Sequence, residues 1–477
     1  MSESLGRRLV VNTGALAGAN LWRIVVSFLL QLIIARRLGL ETLGAYTVAM
    51  AFLNVSQVLC ELGLPLWMVR EVAGRPAARR AYWLRGMALQ GGMAFLLWGG
   101  LLLLTLWLPY SPELRRAIGW VGASLPLYAV SAAAGMVFQA SERMPLLLRV
   151  EAVTNSLILA ISVGVVLAAG NVSDLLLVVV AAQAISAALS LWWLTRSGLP
   201  AAAQSAPPPW REIGRGAAPF FGLSMADVLL QRLDILLLSL LGDPRLIGLY
   251  SAAYNLTRVV IKLVQSYWRG LYPTLSRLRR ENPPQGHAVV QSALRYAVLL
   301  CCGGAAITTG VAGELLHLVY GSREPAATPV LAWLVWSVPL FCVEFYASTR
   351  LLVEGRARAA LCLALGHVAG LAVLLLPLAA QAGALGAAWA VLIAQACATL
   401  GGLWLLGERA DRASGGRLAA LGLLTAGATV LTLWLPDPAW LRAGAAGAGY
   451  LAGLQAGGLL TPRDWRRVRS LLRPGDG

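Results

Sequence analysis

Apolar stretches of about 20 residues, each long enough to cross some 30 Å of hydrocarbon as a helix, follow one another along the whole chain with short polar interruptions. Fourteen such spans are predicted, at 14–35, 43–69, 82–107, 117–140, 150–169, 175–195, 217–241, 247–275, 291–313, 327–349, 360–380, 385–407, 418–435 and 442–460. No interruption is large enough for a soluble domain. The first span is too long for a signal-peptide core and lacks a convincing cleavage site, so it is expected to be retained. Pro207, Pro208 and Pro209 forbid a through-helix in the widest predicted cytoplasmic loop and divide spans one to six from spans seven to twelve.

The chain is also duplicated. Trp120, Ser124, Pro126, Leu127, Val130 and Arg143 recur as Trp333, Ser337, Pro339, Leu340, Val343 and Arg356, all at an offset of 213 residues. A second echo, at an offset of 204, matches Gly44, Tyr46 and Ala49 with Gly248, Tyr250 and Ala253. Duplication in so apolar a chain predicts a secondary transporter with its site between the repeats. The expected fold is all-α and integral to the membrane: about 14 transmembrane helices, two pseudo-symmetric six-helix lobes around a central cavity, and two further C-terminal helices. The expected boundaries are 1–200 for the first lobe, 201–410 for the second, and 411–477 for the extra helices and a basic tail.

Composition agrees, with 58% hydrophobic and 13% charged residues. The formal net charge of +17 comes mainly from arginines concentrated in alternate loops, which places both termini in the cytoplasm. Because those arginines never gather on one face or in a binding motif, no nucleic-acid partner is expected. The six cysteines, Cys60, Cys301, Cys302, Cys342, Cys362 and Cys397, all fall inside spans and read as small core residues. His287, His317 and His367 are not at ligand spacing, and the chain has no Walker A loop, dinucleotide fingerprint or nucleophile elbow. The expectation is therefore no metal, no cofactor and no enzymatic chemistry.

An ionisable side chain deep in a bilayer is costly, which makes each one a functional candidate. Span eight carries Tyr254, Arg258, Lys262, Gln265 and Arg269 on one helical face, a cationic stripe. Span seven carries Asp227, Gln231 and Asp234 on one face, with Arg232 to the side, and depth counting across the turn at Gly242 to Pro244 brings Asp234 near Arg258 and Asp227 near Lys262. One reading of this hairpin is a set of structural ion pairs; the other is a cationic site for an anionic ligand. In the first half, Asn20, Arg23, Ser27 and Gln31 share a face of span one, and Asn54, Gln57 and Glu61 a face of span two. Together the four faces read as the lining of a central cavity. Arg23, Asn54, Gln57, Arg258, Lys262, Gln265 and Arg269 are the candidate binding residues, while Glu61, Asp227, Asp234 and the deeper Glu344 are candidates for ion coupling. Glu151 and Arg295 lie close enough to span ends to snorkel.

Ala35 to Gly39, Leu43 to Tyr46, Glu61 to Leu64 and Val69 to Glu71 resemble the polysaccharide-transporter family. So do Ile247 to Ala253, Leu271 to Ser276 and Val319 to Gly321. The family comprises lipid-linked oligosaccharide flippases of the multidrug/oligosaccharidyl-lipid/polysaccharide exporter superfamily. The resemblance implies two six-helix lobes that alternately open a cavity to either side of the bacterial inner membrane. It implies an undecaprenyl-pyrophosphate-linked glycan as substrate, moved to the outer leaflet for O-antigen, capsule or exopolysaccharide assembly. Membrane lipids and other polysaccharide-assembly membrane proteins are the implied partners. A peptidoglycan-precursor flippase would want the same cationic cavity, whereas a multidrug exporter would favour acids. A membrane glycosyltransferase or polymerase would need a large outer loop that this chain lacks, and a purely structural subunit would not need four inward polar faces.

Overall fold

The computed structural model describes residues 2–74, 79–141, 143–196, 209–281, 283–321 and 324–407, together with 444, 447, 448 and 450. Among these, the regular elements are all helices. They are α1 (Ser2–Glu61), α2 (Leu64–Gly74), α3 (Arg79–Trp107), α4 (Pro112–Ala140), α5 (Met144–Leu167), α6 (Val172–Arg196) and α7 (Trp210–Ser239). They continue with α8 (Pro244–Glu281), α9 (Pro283–Gly310), α10 (Ala312–Tyr320), α11 (Ala327–Leu334), α12 (Ser337–Val353) and α13 (Ala357–Leu406). Seven of the described helical segments are long and apolar enough to cross a membrane.

The breaks lie where backbone geometry demands them. α1 carries the first two predicted spans, divided at Gly39 (φ 88°, ψ 173°). Span two stops at Glu61 instead of running to 69, because Leu62 and Gly63 both have positive φ. A Cβ on Gly63 would stand 2.4 Å from the Phe221 amide nitrogen and 2.6 Å from the Ala217 carbonyl oxygen, so α1 ends where it crosses α7 at backbone distance. Span nine ends at Gly310 and is followed by α10; span ten is broken into α11 and α12. α13 holds spans eleven and twelve as two arms, parted at Ala382 and Gly383 (φ 59°). Spans thirteen and fourteen, and the expected lobe boundary near 200, lie almost wholly outside the described residues.

The chain packs as two compact units, Met1–Ser251 and Ala252–Gly477. In the first, α4 lies against α3 and α6, and α1 runs along α4, α5 and α7. In the second, α12 packs on α9 and α13. Its core holds Trp268, Val298, Cys342, Tyr346, Leu351 and Leu406. All six cysteines are free. Cys362 and Cys397 are exposed, contrary to the core expectation, because both lie on outward faces of α13, where a small apolar side chain can meet lipid instead of protein.

The repeat seen in sequence is repeated in detail. The Ser124 hydroxyl donates to the Val121 carbonyl at 2.7 Å, and Ser337 to Leu334 at 2.6 Å. Arg143 precedes α5 with φ −102° and ψ 47°, and Arg356 precedes α13 with φ −91° and ψ 48°. Their amides donate to Phe138 and Leu351 at 2.8 and 2.9 Å, closing the same turn twice. Gly44 and Gly248, the 204-offset pair, meet each other within the first unit. A Cβ on Gly44 would stand 1.9 Å from the Pro244 carbonyl oxygen, and one on Gly248 would stand 1.9 Å from that of Leu40.

Candidate functional site

In the first unit the two arms of α1 supply the polar faces. The Trp22 indole N–H donates to the Ser156 hydroxyl at 3.2 Å, fixing the first arm against α5. Further along the same arm, the Gln31 amide donates to Ser27 Oγ at 2.9 Å. Glu61 ends the second arm and accepts the Tyr128 hydroxyl of α4. Arg23 is close enough for its charge to act on Glu61, Tyr128 and Glu151 of α5. A cation, two carboxyls and a phenol from three helices thus form one electrostatic cluster. Asn54 donates back to the Met50 carbonyl of its own helix, and Gln57 is half-buried beside it. The side chain of Asn20 lies outside the described set.

The acids of α7 have unlike surroundings. Asp227 is exposed and accepts from the Gln231 amide at 2.8 Å. Asp234 is buried and accepts from the Tyr250 hydroxyl at 2.7 Å and the Ile235 amide at 2.8 Å. The turn between α7 and α8 has Gly242 at φ 70°, and Asp243 caps α8 by accepting from the amides of Arg245 and Leu246 at 2.9 and 3.1 Å.

The second unit holds the cationic stripe. The half-buried Arg258 guanidinium lies 5.9 Å from the centre of the Tyr254 ring, and Lys262 Nζ donates to Gln265 Oε1 at 3.1 Å. These residues follow one another at steps of four, four and three along α8, so one helix face presents both cations. The side chain of Arg269 lies outside the described set. The first turns of α8 are pinned from α10, where the Tyr320 hydroxyl donates to the Ala252 carbonyl at 2.9 Å. Deeper in this unit, buried Glu344 accepts from the Gln395 amide at 2.5 Å, with His367 Nδ1 3.3 Å from its other oxygen.

Several partners escape sequence reasoning. Tyr128, Tyr250 and Gln395 look like ordinary polar breaks in apolar spans, and Glu151, expected to snorkel, is half-buried within reach of Arg23. The 213-residue offset was the available signal for the Glu344 neighbourhood, since it carries Ser131 and Thr154 onto Glu344 and His367. Among the described residues no group of three or more His, Cys, Asp or Glu side chains could hold a metal ion. What the polar faces offer is charge recognition.

No curated protein matches the sequence significantly. Among solved structures, the fold is similar to that of the lipid II flippase MurJ in an inward closed conformation. That match has a TM-score of 0.69 at 12% identity and covers 95% of this chain and 99% of that one. An inward-facing multidrug resistance MATE family transporter of the MOP superfamily matches with a TM-score of 0.61 at 14% identity, over 83% of this chain and 95% of that one. A Vibrio cholerae MATE transporter in its bent form matches at 0.53 and 17% identity, over 86% and 98%. At these identities the likeness establishes the fold alone, the one that these membrane proteins share. The sequence model of the polysaccharide biosynthesis protein family matches residues 9–279, more than half of the chain. This protein therefore belongs to the polysaccharide biosynthesis protein family.

Proposed function

We propose that the protein is a flippase that moves an undecaprenyl-pyrophosphate-linked oligosaccharide from the cytoplasmic to the outer leaflet of a bacterial inner membrane, with both termini in the cytoplasm. The observation that carries this reading is the face of α8, where Arg258 and Lys262 stand one turn apart. A pyrophosphate is a compact multivalent anion, and charge-assisted hydrogen bonds from guanidinium and ammonium groups are the strongest contacts available to it. Arg23 and Arg269 add further cations, and Asn54, Gln57 and Gln265 supply neutral donors for sugar hydroxyls. The lipid tail stays in the bilayer while the headgroup crosses, and rocking of the two repeats exposes it on the other side. An ion gradient drives the cycle, with Glu61, Asp227, Asp234 and Glu344 as the candidate acids.

A second reading takes the peptidoglycan precursor as substrate, favoured by the likeness to the lipid II flippase over 95% of this chain. The family match favours the oligosaccharide. Transbilayer movement of each labelled lipid is measured in proteoliposomes containing native protein, Arg258→Ala or Lys262→Ala. The expected result is movement of the oligosaccharide lipid in preference to lipid II, slowed about tenfold or more in each variant, as loss of a charged hydrogen bond implies. Unimpaired movement in both variants would make the stripe a structural network.

A further inference from the structure

Glu344, His367 and Gln395 form a buried polar group in the second unit, away from the cationic stripe in sequence and on other helices. Glu344 belongs to α12, His367 to the first arm of α13 and Gln395 to its second arm, so the three side chains tie three membrane-crossing segments together. Glu344 is 6% exposed and Gln395 5%. Two of these segments, α12 and the second arm of α13, are also joined without any ionisable group, through the Thr399 hydroxyl, which donates to the Leu340 carbonyl at 3.0 Å.

The first unit contains the matching junction, and its chemistry differs. The 213-residue offset carries Ser131 onto Glu344 and Thr154 onto His367, while Gln183 lies one residue from register with Gln395. Gln183 Nε2 donates to Ser131 Oγ at 2.8 Å, just as Gln395 Nε2 donates to Glu344, whereas Thr154, buried at the position of the histidine, makes no side-chain hydrogen bond. In the first unit a neutral pair therefore joins α4 to α6 at this place. In the second unit two hydroxyls are replaced by a carboxyl and an imidazole, the two groups that exchange protons, while the glutamine is kept.

We infer that Glu344 and His367 form a proton-binding site, holding one exchangeable proton between them, and that this proton is the ion coupled to movement of α12 against the arms of α13. The inference rests on the reading of the chain as an ion-driven flippase. With one shared proton the pair has no net charge, which is the state a buried site favours; without it, an uncompensated carboxylate demands water. Gln395 is a positioning residue: its amide donates to Oε2, which leaves Oε1 to face the imidazole.

The other ionisable groups on the helices concerned are few. α13 also carries Arg358, Cys362 and Cys397, and α9 carries His287, Arg295, Tyr296, Cys301 and Cys302. α12 itself adds Cys342, Tyr346 and Arg350, and α11 adds none. Arg350 bonds Glu354 at 3.3 Å and the Tyr346 hydroxyl at 2.9 Å, at the far end of α12. His367 is the ionisable side chain found in direct contact with Glu344.

The test separates the proton site from the flippase reading. Infrared difference spectra of the full chain in nanodiscs, recorded as the pH is lowered, should show a protonated-carboxyl band that disappears in Glu344→Gln and shifts in His367→Gln and in Glu344→Asp. In proteoliposomes, an imposed pH gradient should speed lipid movement by native protein several-fold, and a sodium gradient should not; Glu344→Gln and His367→Gln should lose the response. Spectra identical in native and all three variants overturn the site, as does a gradient response that survives both glutamine substitutions. A native chain that shows the band yet moves no lipid-linked glycan sinks the flippase reading and leaves the proton site standing.

Discussion

Replacing Gly248 with alanine tests the closest helix approach in the first unit. The added Cβ would lie 1.9 Å from the Leu40 carbonyl oxygen and 2.6 Å from its carbon. A carbon–oxygen contact needs about 3.3 Å, so the start of α8 must move away from α1 by roughly 1.4 Å. The obstacle is backbone, which cannot rotate aside as a side chain could, and overpacking of this kind costs about 3 kcal/mol at the upper end of its range. Alanine's better helix propensity returns at most about 1 kcal/mol, leaving a net loss of about 2 kcal/mol. Denaturant unfolding of the purified protein in detergent reads this directly. Gly92→Ala is the control, since a Cβ there meets nothing within 4 Å, and it should be neutral or slightly stabilising. Gly44 faces the same contact from α1, so one separation of the helices relieves both clashes, and the double variant should cost less than the sum of the singles. A Gly248→Ala protein within about 0.5 kcal/mol of native, or strictly additive costs, would refute the packing argument.

Three further substitutions probe the frame. Tyr250→Phe removes the hydroxyl that Asp234 accepts at 2.7 Å, and should lower stability by about 1–3 kcal/mol in the same unfolding assay; an unchanged midpoint would mean another donor takes its place. Gly63→Ala puts a Cβ 2.4 Å from the Phe221 nitrogen at a residue with φ of 73°. It should cost about 2 kcal/mol or more, and normal expression with native unfolding would count against the break being forced there. Asp243→Ala deletes the cap of α8 and should cost about 1 kcal/mol, with Asp243→Asn recovering most of it; equal loss in both would assign the effect to charge instead of capping.

Length and polarity were readable because the bilayer allows few solutions: an apolar run of span length becomes a helix whatever its neighbours do. The repeat was readable too, since Ser124 and Ser337, or Arg143 and Arg356, keep the same local hydrogen bonds and dihedral angles. The helix breaks were not. Nothing local in Glu61-Leu62-Gly63 announces that α7 will pass within backbone distance, because that constraint comes from residues far along the chain. The candidate faces on α1, α7 and α8 followed from 3.6-residue periodicity, which says which side chains share a face but not what they meet. Depth counting set Asp234 near Arg258. Two of the partners of Asp234 are Tyr250 and its own neighbour Ile235, which periodicity could not supply.

The short helix α10 sits where the offset between the two copies changes. The two copies are 204 residues apart at Tyr46 and Tyr250, and 213 apart from Trp120 and Trp333 onward. The second copy is therefore nine residues longer between those points, and α10, nine residues long, lies in that interval, where the first copy has the short link between Trp107 and Pro112. α10 ends in Tyr320, whose hydroxyl reaches the Ala252 carbonyl, two residues before Tyr254. The root of the helix that bears Arg258 and Lys262 is thus bonded to a segment with no counterpart in the link after α3, which makes the two halves unlike in anchoring as well as in charge.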